Sequence, residues 1–165
     1  MAKRLRVKPN RNLRENAQLL VPIMFDVFLS QKDRVVAHPV LKNELHRMRV
    51  DGKTLRYAME VFAPAFGEEF VSCLREVKGL LDVMGKIHDC DVNIPKLQTH
   101  VQEMRLFNRS VHTAAAKIST TSMVRLIREQ KDFRNSLFEE MKRILAGWGE
   151  NNFKGKVLQS MLSNV

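Results

Sequence analysis

Residues 41–66, LKNELHRMRVDGKTLRYAMEVFAPAF, carry two very different stripes on one helical period. His46, Arg49, Lys53 and Arg56 recur at steps of three, four and three. On an α-helix those steps hold the four side chains within about 80° of arc. Lys42, one turn earlier, joins the same stripe. Leu45, Met48, Leu55, Met59 and Phe62 fall on a separate arc and can face a core. The rest of the chain has to bury the apolar stripe. It also has to explain what the cationic one binds, and what relieves the repulsion between its like charges.

The flanking segments read as helices too. Glycine and proline are few, and β-branched residues rarely alternate with polar ones. Leu13, Ala17, Leu20, Met24 and Phe28 mark a helix over about 11–31, which Pro22 is expected to bend. Residues 31–39 read as a connection, followed by the striped helix over about 40–63. Gly52, in the middle of that helix, suits a close approach by a neighbouring helix or a ligand. A third helix is expected over 68–94 and a fourth, opened by Pro95, over 95–117. The hydroxyl-rich ISTTS at 118–122 reads as a break. A long amphipathic helix over 122–146 and a short one over 156–162 complete the chain, with Ile127, Phe133 or Arg134, Leu137 and Met141 on the core side. The 165 residues suit one core. The expected fold is all-α, an antiparallel bundle of about five to six helices. A basic arm occupies 1–10 and a single helical domain 11–165.

The charge argues about partners. Lys and Arg number 28 against 18 Asp and Glu, for a net charge of +10. Such an excess favours polyanions: nucleic acid, an anionic membrane surface or a phosphate polymer. Cys73 and Cys90 are far apart without metal-ligand spacing, and read as reduced, packed thiols. The basic N-terminus runs into no long apolar segment, so neither a signal peptide nor a membrane span is expected, and the protein is placed in the cytoplasm.

Two carboxylates qualify the picture. Asp91 falls on the apolar face of the third helix together with His88, whereas Asp89 shares a face with Arg75, Lys78, Asp82 and Lys86. A buried aspartate is expensive unless paired. Asp91, and Asp89 with it, are therefore expected to hold arginines or lysines of the striped helix.

LHRMRVDGKTLRYAMEVF followed by LLDVMGKIHDCDV resembles the conserved histidine α-helical domain, or CHAD, family. The family's first element reads roughly V-H-x-x-R-V-x-x-[RK]-R-L-R, and His46, Arg49, Val50, Lys53, Leu55 and Arg56 occupy the matching places. Its second reads roughly L-L-x-x-L-G-x-x-R-D-x-D-V, matched by Leu80, Leu81, Gly85, Asp89, Asp91 and Val92, with His88 where an arginine is usual. Thr54 stands where the first element has a second basic residue. The resemblance implies a helical domain that binds inorganic polyphosphate in a cationic groove and associates with polyphosphate granules. It further implies that Lys42, His46, Arg49, Lys53 and Arg56 contact the polymer, supported by Asp89, Asp91 and His88. Arg11, Arg14 and Lys86 are further candidates for anion contact. Family members hold two such helical repeats, whereas this chain shows one copy of the motif. Either the second half is a degenerate repeat, or this is a half-sized member that pairs with itself to rebuild a two-fold groove, so a homodimer is one expectation.

No phosphate-loop, dinucleotide-fold or zinc-protease motif is present. The expected function is non-catalytic binding with no cofactor and no metal. A helical nucleic-acid-binding protein is the alternative, and scarce aromatics weigh against it: one Trp, one Tyr and nine Phe that mostly sit at core positions.

Overall fold

The computed structural model describes residues 7–162. The expected basic-arm residues Lys3, Arg4 and Arg6 lie outside them. The first helix, α1 (Leu13–Leu29), starts where Asn12 and Glu15 cap each other. The Asn12 Oδ1 accepts from the Glu15 amide at 2.8 Å, and a Glu15 carboxylate oxygen accepts from the Asn12 amide at 3.0 Å. A cap of this kind contributes about 1 kcal/mol. Buried Asn16 then ties the incoming chain to α1, accepting from the Lys8 amide and donating to the carbonyls of Lys8, Arg11 and Asn12. The arm expected to reach residue 10 is therefore anchored from Lys8 onward.

The expected connection over 31–39 contains a short helix, α2 (Lys32–Ala37). The striped segment forms α3 (Lys42–Phe62), which runs into a 3-10 turn at Ala63–Ala65. Leu45, Met48, Leu55, Met59 and Phe62 are all buried, as their spacing predicts. Gly52 sits where three helices meet. A Cβ there would lie 2.6 Å from the Leu81 Cδ2 and 2.7 Å from the Phe28 Cε2. Its function is close helix packing, and it lies under the core face rather than on the cationic one.

The largest departure from the sequence reading is α4 (Glu68–Ser110). It is one continuous helix of 43 residues through Pro95, where two helices were expected. At 1.5 Å per residue it is about 64 Å long. An interior proline removes one backbone hydrogen bond and costs about 3 kcal/mol. Packing overrides that cost here, because α5 (Thr121–Glu150) lies along α4 on both sides of Pro95. On one side Asp91 pairs with Arg134; on the other Val101 and Ile127 are buried. The connection over 111–120 is closed by Asn108, whose side chain exchanges two 2.8 Å hydrogen bonds with the Ile118 backbone. On α5 it is Arg134 that takes the inward position, while Phe133 is exposed. The helix runs past Gly147 to Glu150.

Last comes α6 (Phe153–Ser160), capped by Asn152 in the left-handed region at φ 45°. Its Phe153 stacks on Trp148 at 4.2 Å between ring centroids, and both rings meet Phe25 of α1. One buried cluster runs from Ala17 through Met161, so α1, α3, α4, α5 and α6 share a core. The architecture is an all-α bundle of six α-helices among the described residues. None of these helices is long and apolar enough to cross a membrane.

Candidate functional site

The site is built by α3 and α4. Lys42 approaches Asp91, His46 meets His88, Arg49 lies over Gly85, and Gly52 abuts Leu81. The α4 partner number falls as the α3 number rises, so the two helices are antiparallel. Between them opens a groove of about 470 Å³. Its α3 wall is Arg49, Lys53, Arg56 and Tyr57. Its α4 wall is Leu81, Asp82, Gly85, Lys86 and Asp89. The Arg49 guanidinium lies over Gly85, and a Cβ placed there would be in ordinary van der Waals contact with its Nη2 at 3.8 Å.

Four cations and two carboxylates line the groove, leaving an excess of two positive charges. Arg49, Lys53 and Arg56 are half-buried, yet none forms an ion pair or a hydrogen bond among the described residues. The Arg56 Nε is buried without any partner. Its guanidinium carbon sits 4.5 Å from the centre of the Tyr57 ring. Every other half-buried lysine or arginine among the described residues is engaged. Lys32, Lys78, Arg134, Lys142 and Lys154 form ion pairs, and Arg14 donates to the Met161 carbonyl at 3.3 Å. A half-buried charge without a partner loses hydration and gains nothing in return. Concentrating three of them in one groove provides donors for an external anion, forked from arginine and compact from lysine.

The stripe expected as one unit is divided by the way α4 crosses it. Its C-terminal part, Arg49, Lys53 and Arg56, enters the groove and is joined there by Lys86. Its N-terminal part faces other α4 side chains. Lys42 lies 3.5 Å from the Asp91 Oδ1. The His46 and His88 rings lie 5.0 Å apart, tilted by 36°.

The aspartates separate as well. Asp91, with its side chain 7% exposed, does reach the striped helix through Lys42, but its main partner is Arg134 of α5. The Arg134 Nε donates to Oδ1 at 2.9 Å and its Nη2 to the Pro39 carbonyl at 2.7 Å. Asp89 was expected to hold a cation of α3; it is exposed, lines the groove and forms no ion pair among the described residues. Solvent is the reason: an exposed carboxylate keeps its water and does not need a partner, whereas a buried one does. Arg11 and Arg14 are not brought to the groove. Arg11 lines a separate surface pocket with Asn10 and Gln18, and Arg14 lies over the Phe66 ring.

Three residues escaped the sequence reading of the site. Asp82 carried a signal, since it lies four residues before Lys86 and seven before Asp89. Tyr57 carried none, because it sits off the cationic stripe. Arg134 was an alternative to Phe133 for one position on the core side, and it lies 43 residues from its partner.

Elsewhere, burial pushes the Cys73 and Cys90 thiols up, with Asp91 and Asp89 adding to the effect at Cys90. Both are buried, free thiols with little thiolate character. Among the described residues no cluster of three or more His, Cys, Asp or Glu is placed to hold a metal ion.

A family model, the CHAD domain, matches residues 2–98 of the 165. The chain belongs to the CHAD domain family. The matched span contains α1, α2, α3 and most of α4 up to the groove and beyond it, so both walls of the groove lie within the CHAD match. It ends inside α4, and α5 and α6 lie outside it. No curated protein and no solved structure matches the chain. The CHAD domain is associated with polyphosphate binding and is generally a binding domain rather than a catalytic one.

Proposed function

We propose that this protein binds inorganic polyphosphate, without catalysis, in the groove between α3 and α4. Arg49, Lys53, Arg56 and Lys86 supply the phosphate contacts, and His46 extends the track toward the N-terminus of α3, where Lys42 is held by Asp91. One observation carries the reading: among the described residues Arg49, Lys53 and Arg56 are half-buried without an ion pair or hydrogen bond, while the other half-buried cations have one. A phosphate chain has no base edges, so donors spaced along a line suffice to recognise it. Adjacent turns of α3 present them about 5–6 Å apart.

Competition tests the reading. Long-chain polyphosphate should displace a labelled RNA or DNA duplex from the protein at moderate salt. The double change Arg49→Glu with Lys53→Glu should abolish polyphosphate binding and leave the helical circular-dichroism signal intact. If nucleic acid resists displacement, the groove serves a nucleic-acid-binding protein instead.

A further inference from the structure

The groove contains two features that a bare phosphate chain leaves unused. The first is Tyr57, the one tyrosine of the chain, which stands on the α3 wall 49% exposed. The Arg56 guanidinium packs against its ring at 4.5 Å, and about half of the residue is open to solvent. An aromatic face braced by a guanidinium at the edge of a phosphate-sized groove is a platform for a second planar ring. The second feature is the pair of exposed carboxylates, Asp82 and Asp89, which line the same groove and hold no cation among the described residues. Against phosphate alone they are purely repulsive. Against a hydroxyl or an amino group they are acceptors.

We propose that the groove takes a nucleoside polyphosphate. Its phosphates lie on Arg49, Lys53 and Lys86, its base stacks on Tyr57, and Asp82 accepts from a sugar hydroxyl or the base amino group. The distance from Arg49 to Arg56 along α3 is about 10 Å, which suits a short run of phosphates followed by a ring. This inference rests on the reading of the groove as a polyanion site and adds to it the class of ligand.

The test compares ATP with inorganic tripolyphosphate on the full chain, by calorimetry near neutral pH without divalent ions. Tripolyphosphate carries the greater negative charge, so charge alone ranks it first. ATP is expected to bind about tenfold more tightly, the effect of one base stacked on an aromatic side chain. Tyr57→Leu should remove that advantage and leave tripolyphosphate affinity within about twofold, whereas Tyr57→Phe should keep it. Tripolyphosphate binding as tightly as ATP overturns the proposal. So does Tyr57→Leu weakening both ligands equally. A single-stranded oligonucleotide with a 5′-hydroxyl that binds more tightly than ATP, with the same dependence on Tyr57, overturns it in favour of a nucleic-acid strand. Polyphosphate binding with no preference for ATP removes only the nucleotide. Failure of every anion, polyphosphate included, removes the groove reading itself.

Discussion

Two places along α4 bring basic side chains against aspartates, and they behave in opposite ways. At the seam with α5, Asp91 is nearly closed off from water and holds both Arg134 and Lys42. In the groove with α3, Asp82 and Asp89 are exposed, and Arg49, Lys53 and Arg56 form no ion pair or hydrogen bond among the described residues. The two sites share residue types and a helix; they differ in access to solvent. A carboxylate out of water has to be paired, and its cation is thereby committed to the fold. A carboxylate in water makes no such demand, and the cations opposite it stay available to a ligand. Burial therefore separates the ion-paired charges from the solvated ones more sharply than sequence position does, since Asp89 and Asp91 are two residues apart.

The largest effect that can break this contrast is at the seam. Asp91→Ala should destabilise the protein by about 3–5 kcal/mol, because Arg134, 11% exposed in the native fold, loses its counter-charge. Thermal unfolding measures it, and an unchanged midpoint would place Asp91 among the solvated carboxylates. Replacing the pair together, Asp91→Leu with Arg134→Met, should recover most of that loss. Next is Gly52→Ala. Its methyl group would enter the space held by Leu81 and Phe28. Overpacking of this kind costs about 1–3 kcal/mol and outweighs the helix-propensity gain of about 1 kcal/mol. A more stable variant would mean that α1 and α4 can yield there.

The smallest effect is at Asp51, beside Gln31, whose Nε2 donates to the Asp51 Oδ2 at 3.3 Å. Burial raises the Asp51 carboxyl above the ordinary carboxylate value, and Arg47 opposes the shift. The folded state therefore holds this proton to higher pH than the unfolded chain does. Stability contributed here is present at low pH and falls as pH rises through that window. Asp51→Asn should remove the fall, giving a small gain in melting temperature at pH 7 that fades by about pH 4. A loss at pH 7 would assign Asp51 a favourable charge interaction.

Much of the bundle was legible in the sequence because one period controls it. The buried residues of α3 are those its spacing selects, and Ala17, Leu20 and Phe28 of the face expected for α1 are buried as well. Pro95 misled, since its local cost is smaller than what α5 returns by packing along α4 on both sides. The short α2 was missed because six residues carry too little periodicity to register. At the site, the cationic stripe was legible as spacing and its division was not. Where α4 crosses α3 decides that Lys42 meets Asp91 while Arg56 meets open groove, and no local pattern encodes a crossing. The same holds for Arg134, whose role depends on the register of α5 against α4.

On the proposed reading, the groove cations without an ion pair bind the polyanion and the ion-paired cations serve the fold. The most direct measurement is the polyphosphate dissociation constant of two double variants that each remove two positive charges. One is Arg49→Gln with Lys53→Gln, from the groove. The other is Lys142→Gln with Lys154→Gln, which in the native chain pair with Glu139 and Asp26. The groove variant should lose about 100-fold or more in affinity, at about 1.5–3 kcal/mol per charged hydrogen bond, and the paired variant should stay within about threefold of the native protein. Equal losses in the two would contradict the claim, and would mean that net charge alone attracts the polymer.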